Sequence, residues 1–286
     1  MTAPVTVVVV TRNRRDELLA TLGRHEGPVI VVDNASTDGT PRAVSEAFPH
    51  VVVVRLDTNL GAAARNVGVV SACTRYVAFA DDDSYWEPGA VARAAALLDA
   101  YPDTALVAAT VLVGPEGRTD PVSVEMARGL LGTPRGAPGP AVLGFLACAV
   151  MVRREAFLGA GGFAPLLHQY GEEALLAMDL AAAGWHLSYV AELRVRHLPS
   201  TTQRDRWARQ RREARNRVLT DLLRRPLPHT AGTVGRALLD PAGRRGVLDA
   251  ARLLPVALRA RRRLPPSLEA ALRVLERSGP RRQEAG

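Results

Sequence analysis

Four apolar, mostly β-branched runs punctuate the first eighty residues: "VTVVVVT", "PVIVVD", "VVVVR" and "YVAFA". None alternates polar with apolar, so each reads as a strand buried on both faces. Segments of helical pattern with short links separate them. That alternation makes a parallel sheet covered by helices the natural solution. Asn13, with Asp16 three residues on, has the spacing of a capping box for the first helix. In sheets of this kind ligands bind beyond the carboxyl ends of the strands. Thr11, Asp33, Asp81, Asp82 and Asp83 all fall at such ends, so one polar rim is expected although up to 70 positions separate its members.

The pattern changes further on. After a helix at 88–100 and the strand "ALVAATVLV", residues 114–140 hold six Gly and five Pro, a loop-rich stretch. Order resumes with the strand "FLACAVMV", a helix from Arg153, and the turn "GAGGF". A helix from Glu172 to Ala183, closed by Gly184, and the extended run "HLSYVAELRVRH" follow. From Arg204 onward the chain reads as helical and Arg-rich. We divide it into residues 1–113 and 114–203, two halves of one α/β domain, and a basic helical extension, 204–286.

Charge follows the same division. Residues 1–203 carry 16 Arg against 21 acids, a net of −5, whereas residues 204–263 carry 17 Arg against 5 acids, a net of +12. The longest apolar runs fall far short of the ~20 residues that span a bilayer. No basic-then-apolar leader pattern opens the sequence. Cys73 and Cys148 sit in apolar surroundings and are expected as buried free thiols in a reducing compartment, which makes a cytoplasmic protein the default expectation.

The run "FADDDS" sets adjacent like charges at a strand end, which needs a compensating partner. Asp81 and Asp83 are two apart, so in extended geometry both leave one face and can converge on one ion. Hard oxygen ligands suit Mg²⁺ or Mn²⁺ and would leave coordination places for phosphate oxygens. A solvated acidic turn, with Asp83 or Ser84 capping the next helix, is the alternative.

With these stretches in view the chain resembles family 2 glycosyltransferases of the GT-A fold, which are inverting and nucleotide-sugar dependent. The resemblance rests on "VVVVTRNR", "VVDNASTDGT", "NLGAAARNVG", "FADDDS", "MVRREAFLGAGGF", "YGEEALLAMDLAAAGW" and "VRH", in that order, and fades towards Asn216. It implies a Rossmann-like, mostly parallel sheet. It also implies that Thr11, Asp33 and Asn34 face the nucleoside and that Arg65 approaches the diphosphate. Asp83 would be the direct metal ligand, with Asp81 or Asp82 on the ribose or a metal-bound water, and His197 would complete the metal site. A histidine after a short strand is also commonly a structural hydrogen-bonder. Glu173, with Glu172 beside it, takes the place of the catalytic base, which must remove a proton from the acceptor hydroxyl. The sequence departs from the family pattern here: Glu replaces Asp, Leu175 stands where another acid is common, and "GGFAPLL" lacks an acid after Phe163.

The resemblance implies a nucleoside diphosphate sugar as donor and a lipid-linked, glycan or small-molecule hydroxyl as acceptor. Two other functions are weighed against it. A nucleotidyltransferase would need a Gly-rich loop after the first strand, and "TRNRRDE" has no Gly. A non-catalytic nucleotide-sugar-binding or interaction protein is the other. The Arg-rich segment fits either a helix lying on an anionic membrane, peripheral on its inner face, or a solvated face packed on the body. Nucleic acid is not expected, because Trp207 is the segment's one aromatic and stacking platforms are missing.

Overall fold

The computed structural model describes residues 5–199 and 205–278. Arg204 and the last eight residues of the tail lie outside them. The strands β1 (Val5–Thr11), β2 (Val29–Asp33), β3 (Val52–Arg55), β4 (Tyr76–Asp81), β5 (Ser84–Trp86), β6 (Thr104–Val113), β7 (Arg118–Thr119), β8 (Val150–Arg153) and β9 (His186–His197) form one sheet. Its order is β3-β2-β1-β4-β8-β6-β9-β5, with β7 paired to β6. The run β3-β2-β1-β4 is parallel, as is the β6–β9 pair, while β8 and β5 pair antiparallel to their neighbours. This is the mostly parallel, helix-covered sheet that the sequence implies.

Both faces are covered. Val7 and Val9 of β1 pack beneath helices α1 (Arg15–Leu22), α2 (Thr40–Ala47) and α4 (Ala90–Ala100). Val8 faces α3 (Ala64–Ser71), α6 (Arg154–Gly159) and α7 (Glu172–Ala182), where Phe79, Phe157 and Phe163 meet with ring centres 5.5–5.8 Å apart. Each buried Val or Phe side chain contributes roughly 1.5–3 kcal/mol, so β1 is held by its own composition. Close approach of α3 to the sheet needs Gly68: a Cβ there would stand 2.4 Å from Val8 Cγ1. A further helix, α5 (Pro121–Ala127), follows β7, and Asp120 caps it by accepting from Val122 N.

The basic segment folds as α8 (Arg206–Arg224), α9 (Leu227–Ala237), α10 (Pro241–Arg252), α11 (Leu254–Arg259) and α12 (Pro266–Ser278). It packs on the body. Val218, Leu219, Leu222 and Leu223 of α8 form a core with Leu167 and Leu175. Arg224 Nε lies 2.5 Å from Asp179 Oδ1 on α7, and Arg225 Nε 2.6 Å from Glu269 Oε2 on α12.

Three local expectations differ from the structure. Asn13 does not cap α1; the flanking residue is Arg14, without a side-chain cap bond. Asn13 is left-handed (φ 53°), and its side chain accepts from Thr37 N at 2.8 Å. A tie between the first two strand-end loops thus takes the amide that a local cap would have used. The strand expected over 145–152 is only Val150–Arg153, preceded by a 3₁₀ turn at Ala147–Ala149. Its slot between β4 and β6 offers three pairs, Tyr76↔Arg153 to Ala78↔Met151 on the β4 side. Cys148 is buried as expected, but Cys73 is exposed just beyond α3.

Candidate active site

Strand register gathers the rim. Thr11 pairs with Asp33 across β1–β2, and Val10 pairs with Asp81 across β1–β4. On the far side Ser84 pairs with His197, and Leu198 N donates to Asp83 O at 2.8 Å. The four strand ends open onto one cleft of about 770 Å³.

The aspartates face cations. Arg14 Nη1 lies 3.2 Å from Asp82 Oδ1, and Arg14 Nη2 donates to Asp83 Oδ2 at 2.9 Å. Arg65 donates to Asp81, and His197 Nε2 stands 3.3 Å from Asp83 Oδ1. Thr11 Oγ1 donates to Asp82 Oδ2 at 3.0 Å. These partners set the Asp82 and Asp83 carboxyls apart. Burial pushes the Asp82 carboxyl up to about 7, with Arg14 offsetting part of that. Burial also acts on Asp83, but the His197 hydrogen bond and the charges of His197 and Arg14 outweigh it and hold its pKa low. His197 is raised in turn, chiefly by that bond to Asp83.

A divalent cation is consistent with this donor set. Two carboxylates and an imidazole line the same cleft, and Mg²⁺ takes oxygen while Mn²⁺ also accepts nitrogen. Among the described residues no three His, Cys, Asp or Glu side chains stand close enough to cage a cation by themselves. Such an ion would need further oxygens from a bound ligand.

The opposite wall is the start of α7. Glu172 and Glu173 both line the cleft. Glu172 is 5% exposed, with Oε2 unpartnered; burial, then the neighbouring Glu173, push its carboxyl up to about 8. Burial raises Glu173 as well. Arg65 is buried with them, and the fields of Asp81, Glu172 and Glu173 keep it charged against its own desolvation. The turn leading into α7 is strained, with His168 at φ 61° and Tyr170 at φ 73°. Asn216, buried in α8, holds it: Nδ2 lies 2.8, 2.7 and 2.6 Å from the carbonyls of Leu167, Gln169 and Tyr170.

Of the ten residues singled out from the sequence, Thr11, Asn34, Arg65, Asp81, Asp82, Asp83, Glu172, Glu173 and His197 line the cleft. Asp33 does not. It is buried at the end of β2, where Oδ2 accepts from Ser36 N and Oδ1 has no partner. Asn34 lines the cleft, but its amide bridges the 60–61 turn, accepting from Leu60 N and donating to Gly61 O. Sequence reasoning missed Arg14 and Asn216. Arg14 follows a strand end by three residues, a weak signal, and nothing local marks Asn216 as the support of a turn 46–49 positions away.

Residues 6–159, more than half of the chain, match the family model described as Glycosyl transferase family 2, and residues 141–226 match that of Glycosyl transferase family 21. The N-acetylglucosaminyl-diphospho-decaprenol L-rhamnosyltransferase of Mycobacterium tuberculosis is 29% identical, over 69% of this chain and 76% of that protein. Mannosyltransferase PcManGT from Pyrobaculum calidifontis, solved in complex with GDP-Man and Mn²⁺, superposes with a TM-score of 0.58 at 23% identity, covering 98% of this chain and 76% of that one. TarS of S. aureus superposes with a TM-score of 0.56 at 20% identity over 77% of this chain. The present chain spans 40% of the TarS chain. Likeness at such identities shows the GT-A fold.

Proposed function

The chain belongs to glycosyl transferase family 2, and from that membership we propose that it moves one sugar, with inversion, from a nucleoside diphosphate sugar to an acceptor hydroxyl with the help of a divalent cation. The observation that carries this is the meeting, in one cleft, of a cation-paired aspartate triplet and a glutamate pair with raised pKa values.

In this reading residues 1–113 supply the donor half. Thr11 and Asn34 address the nucleoside, whereas Asp33, with its unpartnered Oδ1, is buried behind the cleft wall. Asp83, with Asp81 and His197 in the same cleft, would hold Mg²⁺ or Mn²⁺ only together with oxygens of the bound donor, and the ion would offset charge on the leaving diphosphate. Arg65 lies between the aspartates and the glutamates and adds a fixed positive charge there. Residues 114–203 supply the acceptor half. Glu173, the more exposed of the pair, takes the proton of the acceptor hydroxyl as the new bond forms. Glu172, pushed up to about 8, keeps its proton at neutral pH and spares Glu173 an adjacent charge.

We assign a lipid-linked acceptor, supported by the relative whose name specifies a diphospho-decaprenol substrate. The net +12 of residues 204–263 then addresses an anionic membrane on its cytoplasmic face. Exposed Leu239, Leu248, Val256 and Leu258 stand among those arginines. No described helix is long and apolar enough to cross a membrane.

A thermal-shift screen of nucleoside diphosphates with and without Mn²⁺ tests the donor site, because a bound ligand raises the melting temperature by mass action. One nucleotide should stabilise the protein only with metal, and Asp83→Ala should abolish that shift. If every nucleotide fails, or Asp83→Ala keeps the metal dependence, the assignment is wrong.

A further inference from the structure

Not every arginine of the cleft is committed to its aspartates. Arg14 and Arg65 are committed to Asp81, Asp82 and Asp83. Arg12 and Arg212 line the same cleft, and among the described residues neither meets a carboxylate. Arg212 Nη1 donates to Gln169 Oε1 at 3.1 Å, and its guanidinium carbon is 5.9 Å from the Tyr170 ring centre. Arg209, one turn earlier on α8, lies 5.3 Å from the same ring, with Glu213 as its acid. His168, in the same turn as Tyr170, has its pKa lowered by burial and then by the charges of Arg212, Arg215 and Arg12. Arg12 and Arg212, which have no acid of their own among the described residues, repel each other, and an anion shared between them removes that penalty.

Position gives this rim its meaning. Tyr170 stands three residues ahead of Glu173, on the α7 side of the cleft, while the aspartates sit on the ends of β4 and its turn. Asp205 and Ala208 carry the cleft wall onto α8, and Trp207 between them is 45% exposed. A cationic patch beside the base, followed by an exposed aromatic, has the order of a sugar diphosphate on an apolar chain.

We propose that Arg12 and Arg212, flanking the turn that carries Tyr170, form a second phosphoanion subsite that takes the diphosphate of a polyprenyl-diphosphate-linked saccharide acceptor. The proposal rests on the glycosyl-transfer reading above. One saccharide would reach from the anion to Glu173, and the prenyl chain would leave past Trp207. Guanidinium groups suit the role because their forked donors meet phosphate oxygens in pairs.

The test uses the full chain, saturated with Mn²⁺ and the nucleoside diphosphate found by thermal shift, and titrates farnesyl diphosphate by calorimetry. The occupied enzyme should bind farnesyl diphosphate, and inorganic pyrophosphate much more weakly. Arg212→Ala should weaken farnesyl diphosphate by about tenfold or more, the scale of one charge-assisted hydrogen bond, with nucleotide affinity and melting temperature unchanged. Arg212→Lys should recover part of the loss. Competition between farnesyl diphosphate and the nucleotide would place both in the donor site and overturn the proposal, as would unchanged affinity in Arg212→Ala. Equal binding of inorganic pyrophosphate would make the rim a free-phosphate site and overturn the lipid assignment. If the wild type binds no nucleoside diphosphate at all, the underlying reading fails first, in a separate measurement.

Discussion

Glu172 and Glu173 are adjacent in sequence yet differ in surroundings, one almost sealed and the other partly open to the cleft. Glu173→Gln should lower the transfer rate by ~10²-fold or more with little change in donor affinity, because a general base acts in the transition state. Glu172→Gln should do less; a reversed ranking in single-turnover assays would move the base to Glu172. The buried carboxyl also makes a stability prediction. Its folded pKa of about 8 lies above the ordinary 4.5, so the folded state keeps a proton that the unfolded chain releases. That contribution is fully present below the unfolded value and is lost as pH rises through the folded one. Glu172→Gln imitates the protonated form, so its melting temperature should gain on the wild type as pH rises from about 5 to about 9. An advantage that does not vary with pH would show that burial is not what holds the proton.

At the scale of the element, the turn His168–Gly171 decides where the glutamates point. Two non-glycine residues there are left-handed, which costs of order 1–3 kcal/mol each unless the surroundings enforce it. The enforcement comes from α8, through Asn216 Nδ2 and through Arg215 Nη2, which donates to Leu167 O at 2.6 Å. Asn216→Ala should lower stability by about 1–3 kcal/mol, as expected when buried carbonyls lose their donor. It should also lower kcat more than nucleotide affinity, because the turn aims the glutamates directly and meets the donor wall through one bond, from Ala62 N to His168 O at 2.6 Å. Equal losses in donor binding and turnover would show a general loosening instead. None of this was legible from "YGEEALL". The motif marks a helix start with acids in its first turn, but the strain that aims them is relieved only by a helix over 40 residues downstream.

For the whole molecule, the segment that reads as an appendage is part of the core. Leu167 and Leu175 are at most 2% exposed because α8 covers them, and Asp179 is paired with Arg224. A chain ending before Arg204 should therefore aggregate or lose its cooperative melt, measured by circular dichroism. The intact protein should sediment with anionic vesicles at low salt and release as ionic strength rises, since exposed charges are screened beyond ~8–10 Å in physiological buffer. Equal sedimentation with neutral vesicles, or none with either, would remove the electrostatic anchor.

The parallel, helix-covered sheet, the polar rim and the family were readable from the chain because each is written locally. A β-branched run buries both faces wherever it lies, parallel strands must end on one side, and motif order survives without coordinates. The partners of those rim residues were not readable. Arg14 pairing with Asp82 and Asp83, Asp33 sealed behind the cleft, and Asn216 holding the turn before Glu172 all join positions tens of residues apart. The charge asymmetry was visible as −5 against +12, but whether that basic segment is a loose surface or a load on the core depends on which side chains of α8 face α7. Helical periodicity sets an apolar stripe; only packing decides what covers it, because the hydrophobic effect has no direction of its own.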